Sequence, residues 1–239
     1  MTLLCVDCGN TRIKWGLREG NGWRAQGALP GAEAQALAER VPEAPTRVVA
    51  CNVAGTSARQ AVESAAQRWQ APLEWVQASA SRCGVHNGYT QPAQLGADRW
   101  AALIGAWGIQ QGACVVVSAG TATTIDVLDG AGLFRGGLIL PGLALMRTAL
   151  AHNTAGLPLA RGQYSDTPRN TDDAIASGCL HATVGAIERM FRQVAHAPRA
   201  CCLLTGGAAA PLESLLTFPV RRVDDLVLEG LACLAGASA

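Results

Sequence analysis

The sequence predicts an internally duplicated α/β protein, and three observations carry that expectation. An apolar run, Leu3–Val6, leads into a small polar turn at Asp7-Cys8-Gly9-Asn10, and a second, Cys114–Val117, leads into Ser118-Ala119-Gly120-Thr121. Each turn is followed by two more strand-like segments and then by helical spacing, so the order strand, turn, strand, strand, helix occurs twice. Hydrophobic residues make up 49% of the 239 positions and charged residues 15%, which suits a well-packed globular chain and argues against disorder. Two α/β halves, 1–112 and 113–239, are expected, with a ligand in the cleft between them.

Taken in order, Leu3–Val6, Ile13–Leu17 and Trp23–Leu29 read as strands separated by Gly9-Asn10 and by Glu19-Gly20-Asn21-Gly22. Ala32–Arg40 reads as an alanine-rich helix, Arg47–Cys51 as a strand, Thr56–Trp69 as a helix and Leu73–Val76 as a strand. Ser79–Gln94 is polar and irregular, and helical spacing resumes from Gly96 to Trp107. In the second half, strands are expected at Cys114–Val117, Ile125–Leu128 and Leu133–Leu140, and helices at Leu143–Ala151 and Asp172–Val194, with a proline- and glycine-bearing loop over Leu157–Arg169. The chain then reads as strand Ala200–Leu204, the turn Thr205-Gly206-Gly207, a short helix, a strand near Val220 and a helix Asp224–Ala235.

Composition lends no support to several classes of function. Formal net charge is +1, the arginines are scattered, and Arg221-Arg222 is too short a basic run to be a nucleic-acid footprint. No basic region accompanies Met1-Thr2-Leu3-Leu4, so no signal peptide is expected. The most apolar stretch, Leu138–Leu145, is broken by Pro141-Gly142 and is too short to span a bilayer. A soluble cytoplasmic protein with no membrane partner follows. Of the nine cysteines, Cys5 and Cys8 form a C-x-x-C, but no second ligand pair matches it. On a strand, positions i and i+3 face opposite ways. The cysteines therefore read as small buried hydrophobes in a reducing compartment.

Lys14 is the only lysine in the chain. Asp7, Gly9, Asn10, Thr11 and Lys14 place a carboxylate, a glycine, an amide, a hydroxyl and an ammonium within eight residues. A metal-bound polyphosphate needs such a set: the carboxylate orients the cation, the glycine permits close backbone approach, and the ammonium adds compact positive charge. The same residues also fit an ordinary β-hairpin that happens to carry a lysine. Neither G-x-x-x-x-G-K-[ST] nor G-x-G-x-x-G occurs, which argues against P-loop and Rossmann sites.

Two phosphate-type turns in a repeat, with a glycine pair after a late strand, resemble the actin and acetate-kinase type of ATPase fold. Within it, Asp7-x-Gly9-Asn10-Thr11-x-x-Lys14, Leu95-Gly96-Ala97-Asp98-Arg99, Gly120-Thr121-Ala122-Thr123-Thr124-x-Asp126 and Gly136-Gly137-x-Ile139-x-Pro141-Gly142 occur in order, followed by Thr154-Ala155-x-Leu157-Pro158 and Asn170-Thr171. Together these motifs resemble the type III pantothenate kinases, a family also described as Bvg accessory factors, over nearly the whole chain. The resemblance implies ATP-dependent phosphorylation of pantothenate, the entry step of coenzyme A synthesis, by a homodimer. It implies Asp98 as the general base and Asp7 as the carboxylate that orients magnesium. Gly9, Asn10, Thr11 and Lys14 would cradle the phosphates, with Gly120 and Thr121 as a second phosphate turn and Gly206-Gly207 against the nucleotide. Tyr89, Gly96, Arg99 and Thr171 would form the pantothenate pocket, Thr171 serving the other subunit. Asp126 would hold the monovalent cation, potassium or ammonium.

Simpler roles fit the same residues. Asp98 near a helix start complements the helix dipole, Tyr89 packs on a loop, Asp126 satisfies turn N–H groups, and Thr171 caps the helix that follows it. His86 and His152 stay outside the catalytic set. The duplicated turn has Ser118 where the first has Asp7, so the metal is expected on the Asp7 side only. Rival functions are a regulatory protein that keeps the kinase fold, and a kinase of the same fold acting on another small hydroxy acid.

Overall fold

Strand β1 (Thr2–Cys8) is the centre of the first sheet, and its sequence shows why. Leu4, Val6 and Cys8 face one side and Cys5 the other, and all four are fully buried, so both faces of the strand are covered. In this computed structural model, which describes residues 2–236, the chain divides into two units. The first comprises the residues up to Gln111, Gly132–Phe134, and the described residues from Asp225 on; the second comprises Gly112–Ala131 and Arg135–Asp224. Met1 and residues 237–239, the outer ends of the two halves delimited from sequence, lie outside the described residues.

In the first unit, β1 pairs antiparallel with β2 (Arg12–Glu19), which pairs antiparallel with β3 (Gly22–Pro30). On its other edge β1 pairs parallel with β4 (Arg47–Asn52), and β4 with β5 (Leu73–Trp75), giving the order β3-β2-β1-β4-β5. The segment expected as one alanine-rich helix over 32–40 is a 3-10 helix, Gly31–Ala36, closed by a single α turn, α1 (Leu37–Arg40). Burial of Ala34 and Leu37 explains the tighter winding, because 3-10 geometry stacks residues three apart on one face. Helix α2 (Thr56–Arg68) covers the same face through Ala58, Ala61, Val62, Ala65 and Ala66.

The stretch 79–94, expected as irregular, contains a small hairpin of β6 (Ser81–Arg82) and β7 (Val85–Asn87). Its two turn residues, Cys83 and Gly84, both have positive φ, 51° and 79°, the requirement of a tight two-residue hairpin. Cysteine is an unusual occupant of such a turn, which is why composition did not reveal it. Helix α3 (Ala97–Gln110) is buried almost all round and packs against the carboxy-terminal α7 (Leu226–Gly236). The crossing depends on glycine: a Cβ at Gly230 would overlap the Ala101 carbonyl, and one at Gly105 would lie 2.5 Å from the Leu226 carbonyl.

The second unit repeats the pattern. Its strands β8 (Cys114–Ala119), β9 (Ala122–Leu128), β10 (Leu133–Pro141), β11 (Cys201–Thr205) and β12 (Val220–Arg222) run in the order β12-β11-β8-β9-β10. Read from the other edge this is third, second, first, fourth, fifth strand, the same sequence as in the first unit. Leu133 and Phe134, where β10 begins, belong to the first unit and pair with β7. Helices α4 (Leu143–Asn153) and α5 (Thr171–Phe191) and the short α6 (Ala209–Glu213) complete the second unit. All nine cysteines are free; seven are buried as expected, but Cys83 is half-buried and Cys233 exposed, its sulfur beside Gly108 towards the end of α3. Among the described residues no helix is long and apolar enough to cross a membrane.

Candidate active site

β1 ends by delivering Asp7 to a position flanked by Lys14 on β2 and Cys51 on β4, its register partners on either side. Register partners share a sheet face, so carboxylate, ammonium and thiol emerge together. The turn from Gly9 to Arg12 is tied down at three points. The Gly9 N–H donates to the Arg12 carbonyl (3.1 Å), the Thr11 carbonyl accepts from Gly31 (3.0 Å), and the Cys8 carbonyl accepts from Val53 (3.0 Å). Gly9 therefore serves the shape of the turn with its own N–H committed, while Asn10, Thr11 and Arg12 are exposed.

Asp7 is the electrostatic focus. Burial raises its pKa from 3.8 to about 6, the like charge of Asp98 adds to the rise, and a hydrogen bond from the Cys51 thiol (3.5 Å) and the charge of Lys14 oppose it. A carboxylate whose charge is penalised in this way is one a cation would stabilise. Lys14 is paired beyond its own strand: its Nζ donates to Asp225 Oδ1 at 2.7 Å, both side chains being about a third exposed, and both charges act on Asp7.

Asp98 stands in the first turn of α3, which begins after Gly96. One carboxylate oxygen accepts the N–H of Arg99 (2.8 Å), and a Cβ at Gly96 would lie 2.6 Å from it, so glycine leaves the space this carboxylate occupies. Arg99 is 6% exposed. It donates to the Tyr89 hydroxyl (3.1 Å) and lies over the rings of Tyr89 and Phe134, which pack at 5.1 Å. Tyr89 is thus joined to Arg99 rather than packing on a loop alone. A polar cavity of about 330 Å³ borders the start of α3; Asn52, Arg59, Trp75, Gln77, Leu95 and Ala97 line it, and Arg59 lies over the Trp75 ring.

In the second unit the turn after β8 is built alike. The Gly120 N–H donates to Ala122 (3.0 Å), the Thr121 carbonyl accepts from Gly142 (2.9 Å), and the Ala119 carbonyl accepts from Ala208 (3.1 Å). Gly206 has φ +102 and a Cβ there would lie 2.3 Å from the Ala119 carbonyl, so only glycine lets β11's exit come this close. Gly207 is exposed with open space beside it. Ser118, Thr124, Asp126 and Thr205 share one face by register. Asp126 is 1% exposed, and on its face the buried hydroxyl of Thr124 has no hydrogen-bond partner, an oxygen-bearing setting in which a cation could be held.

Thr171 is the first residue of α5 and not its cap: Asn170 caps the helix by accepting the Asp173 N–H (2.9 Å). Asparagine preceding the acidic pair has the better geometry for that bond, which leaves Thr171 exposed. It lies on the edge of an apolar groove of about 770 Å³ between α4 and α5, lined by Met146, Ala149, Leu150, Leu157, Ala174 and Cys179.

Sequence reasoning missed Cys51, Phe134, Asp225 and the cavity at Asn52. One signal was available: Leu29-Pro30-Gly31 and Leu140-Pro141-Gly142 end the third strand of each unit, and both glycines donate to the turn threonine.

Residues 3–193 match the family model of type III pantothenate kinase. The chain is 58% identical to a type III pantothenate kinase of Aromatoleum aromaticum, over 98% of this chain and 97% of the relative. It is 51% identical to one from Azoarcus sp., over 99% and 92%. A solved structure from Campylobacter jejuni, described as a Baf family transcriptional activator, superposes with a TM-score of 0.69 at 20% identity, covering 98% of each chain. The architecture is that of the actin-like ATPases and sugar kinases.

Proposed function

The chain belongs to the type III pantothenate kinase family and phosphorylates pantothenate with ATP, in the first step of coenzyme A synthesis, and we propose that the first unit supplies the reacting groups. The observation that carries this reading is the convergence there of Asp7, Asp98 and the single lysine. Asp98 takes the proton of the pantothenate primary hydroxyl as its oxygen bonds to the γ-phosphorus and the bond to the β-phosphate oxygen breaks, leaving ADP. Asp7 would hold magnesium, directly or through water, and a cation there would offset phosphate charge. Lys14 and the exposed residues Asn10 and Thr11 receive the terminal phosphates, on a turn that Gly9 shapes. Arg99, fixed by Tyr89, meets the carboxylate of pantothenate or the transferring phosphoryl group, beside Gly96.

In the second unit, Gly120 and Thr121 act on phosphate and Gly206-Gly207 on the nucleotide. Asp126, with the unpartnered hydroxyl of Thr124 on the same strand face, would hold potassium or ammonium. The chain works as a homodimer through the apolar groove between α4 and α5, where Thr171 is available to the partner's pocket. Support comes from Ile139, Leu145 and Leu159, large apolar residues left exposed in this unit.

ADP release by the purified chain, with ATP and magnesium, tests the reading. Turnover that requires pantothenate and is faster in potassium than in sodium is expected; ADP release indifferent to pantothenate would overturn it.

A further inference from the structure

Lys14 and Asp225 are 211 positions apart, yet they form an ion pair beside the first turn. Asp225 is also unusual in its backbone. Its φ is +51, in the left-handed region that aspartate and asparagine tolerate better than other non-glycine residues. Its carbonyl accepts the N–H groups of Leu228 (2.8 Å) and Glu229 (3.3 Å), so it opens α7. That helix is locked on α3 by the Gly105 and Gly230 contacts, and α3 carries Asp98 in its first turn. The position of the Asp225 carboxylate is therefore set by the same helix pair that sets Asp98.

We propose that Asp225 is a positioning residue for the kinase reaction: it holds the Lys14 ammonium in place before the nucleotide arrives. The proposal rests on the reading of Lys14 as a phosphate ligand. A lysine stem is flexible and loses rotamer freedom when its ammonium is immobilised, so a partner that orders it beforehand lowers that loss on binding. An ammonium has three donors, and Asp225 accepts one. The pair is about a third exposed on both sides, too weak to withhold Lys14 from a polyphosphate.

The uniqueness of Lys14 makes this testable without relying on activity alone, because an amine-acylating ester has one lysine to report on. Acetylation by the N-hydroxysuccinimide ester of acetic acid, located by peptide mass mapping to separate it from the terminal amine, is followed in wild type, Asp225→Asn and Asp225→Glu, with and without MgATP. Asparagine keeps the left-handed backbone and the carbonyl that opens α7, and thermal melting verifies the fold. Asp225→Asn is expected to label Lys14 several-fold faster and to raise KM for ATP about fivefold with kcat within about twofold, and Asp225→Glu is expected to restore most of both. A lower or unchanged KM for ATP would overturn the proposal and mark Asp225 as a competitor of phosphate or a bystander. Unchanged labelling would remove the pairing itself. Faster labelling in Asp225→Asn with no MgATP protection of wild type would keep the pairing but remove Lys14 from the nucleotide site, and the proposal with it.

Discussion

After β1 and after β8 the chain makes the same manoeuvre with different chemistry. In both turns the glycine N–H bonds back to the following strand, the threonine carbonyl is held by a glycine that follows Leu-Pro, and the residue before the turn glycine is held by the exit of the fourth strand. The side chains that flank that common frame on the neighbouring strands differ. Asp7, Lys14 and Cys51 of the first unit correspond by register to Ser118, Thr124 and Thr205 of the second. The backbone of the turn is thus reproduced twice, whereas Asp7 and Lys14 of the first copy have uncharged counterparts in the second. Fold duplication and functional duplication are separate properties, since hydrogen bonds of the frame are main-chain and survive side-chain change.

The sharpest way to break the comparison is Asp98→Asn, which removes the carboxylate that acts on Asp7 in the first unit. Turnover is expected to fall about a hundredfold or more with melting unchanged, as loss of a general base does; a steady-state assay that finds near-normal kcat would return Asp98 to a helix-dipole role. Exchange at the equivalent turn positions comes next. Asp7→Asn is expected to lower kcat/KM by about a hundredfold and Ser118→Ala by less than about tenfold, so equal losses would mean that charge is not what distinguishes the turns.

The paired glycines separate the two frames by stability. A Cβ at Gly142 would lie 2.2 Å from the Gly120 carbonyl, whereas one at Gly31 meets nothing closer than 3.7 Å. Gly142→Ala should therefore cost about 2 kcal/mol and Gly31→Ala less than about 0.5 kcal/mol, read from urea midpoints. The smallest expected effect is a pH dependence confined to the first turn. Because the folded-state pKa of Asp7 is raised from 3.8 to about 6, its ionisation destabilises the metal-free fold above that range. Asp7→Asn should be more stable than wild type at pH 7.5, by about 1 kcal/mol after solvent screening. The gap should close as pH falls from about 6 to below 3.8. A gap that persists in acid would assign the effect to packing.

How much of this was legible beforehand varied with the range of the interaction. The duplication showed in the two apolar runs and their small turns, since strand period and turn chemistry are local. The expected strands Leu3–Val6, Ile13–Leu17, Arg47–Cys51 and Cys114–Val117 reappear within a residue or two at their ends, and the one expected from Ile125 begins three residues earlier, at Ala122. The helix over 32–40 failed because alanine propensity was overridden by the need to bury Ala34 and Leu37. The hairpin at Cys83-Gly84 escaped because its pairing is only two residues long.

At the site, the motif residues Asp7, Gly9, Lys14, Asp98 and Arg99 could be named from spacing and resemblance, because each lies at a strand end, turn or helix start visible in a short window. Their partners could not. Cys51 reaches Asp7 only through parallel register, Phe134 reaches Tyr89 and Arg99 through the pairing of β10 with β7, and Asp225 reaches Lys14 through the glycine contacts of α7 on α3. The sequence by itself determined the repeated element order, the turn shapes and the identity of the charged groups, all products of local propensity and covalent order. Which charges meet, and so why Asp7 resists ionisation and where Lys14 points, was decided by long-range packing, because pair energies depend on distances and burial that exist only in the folded chain.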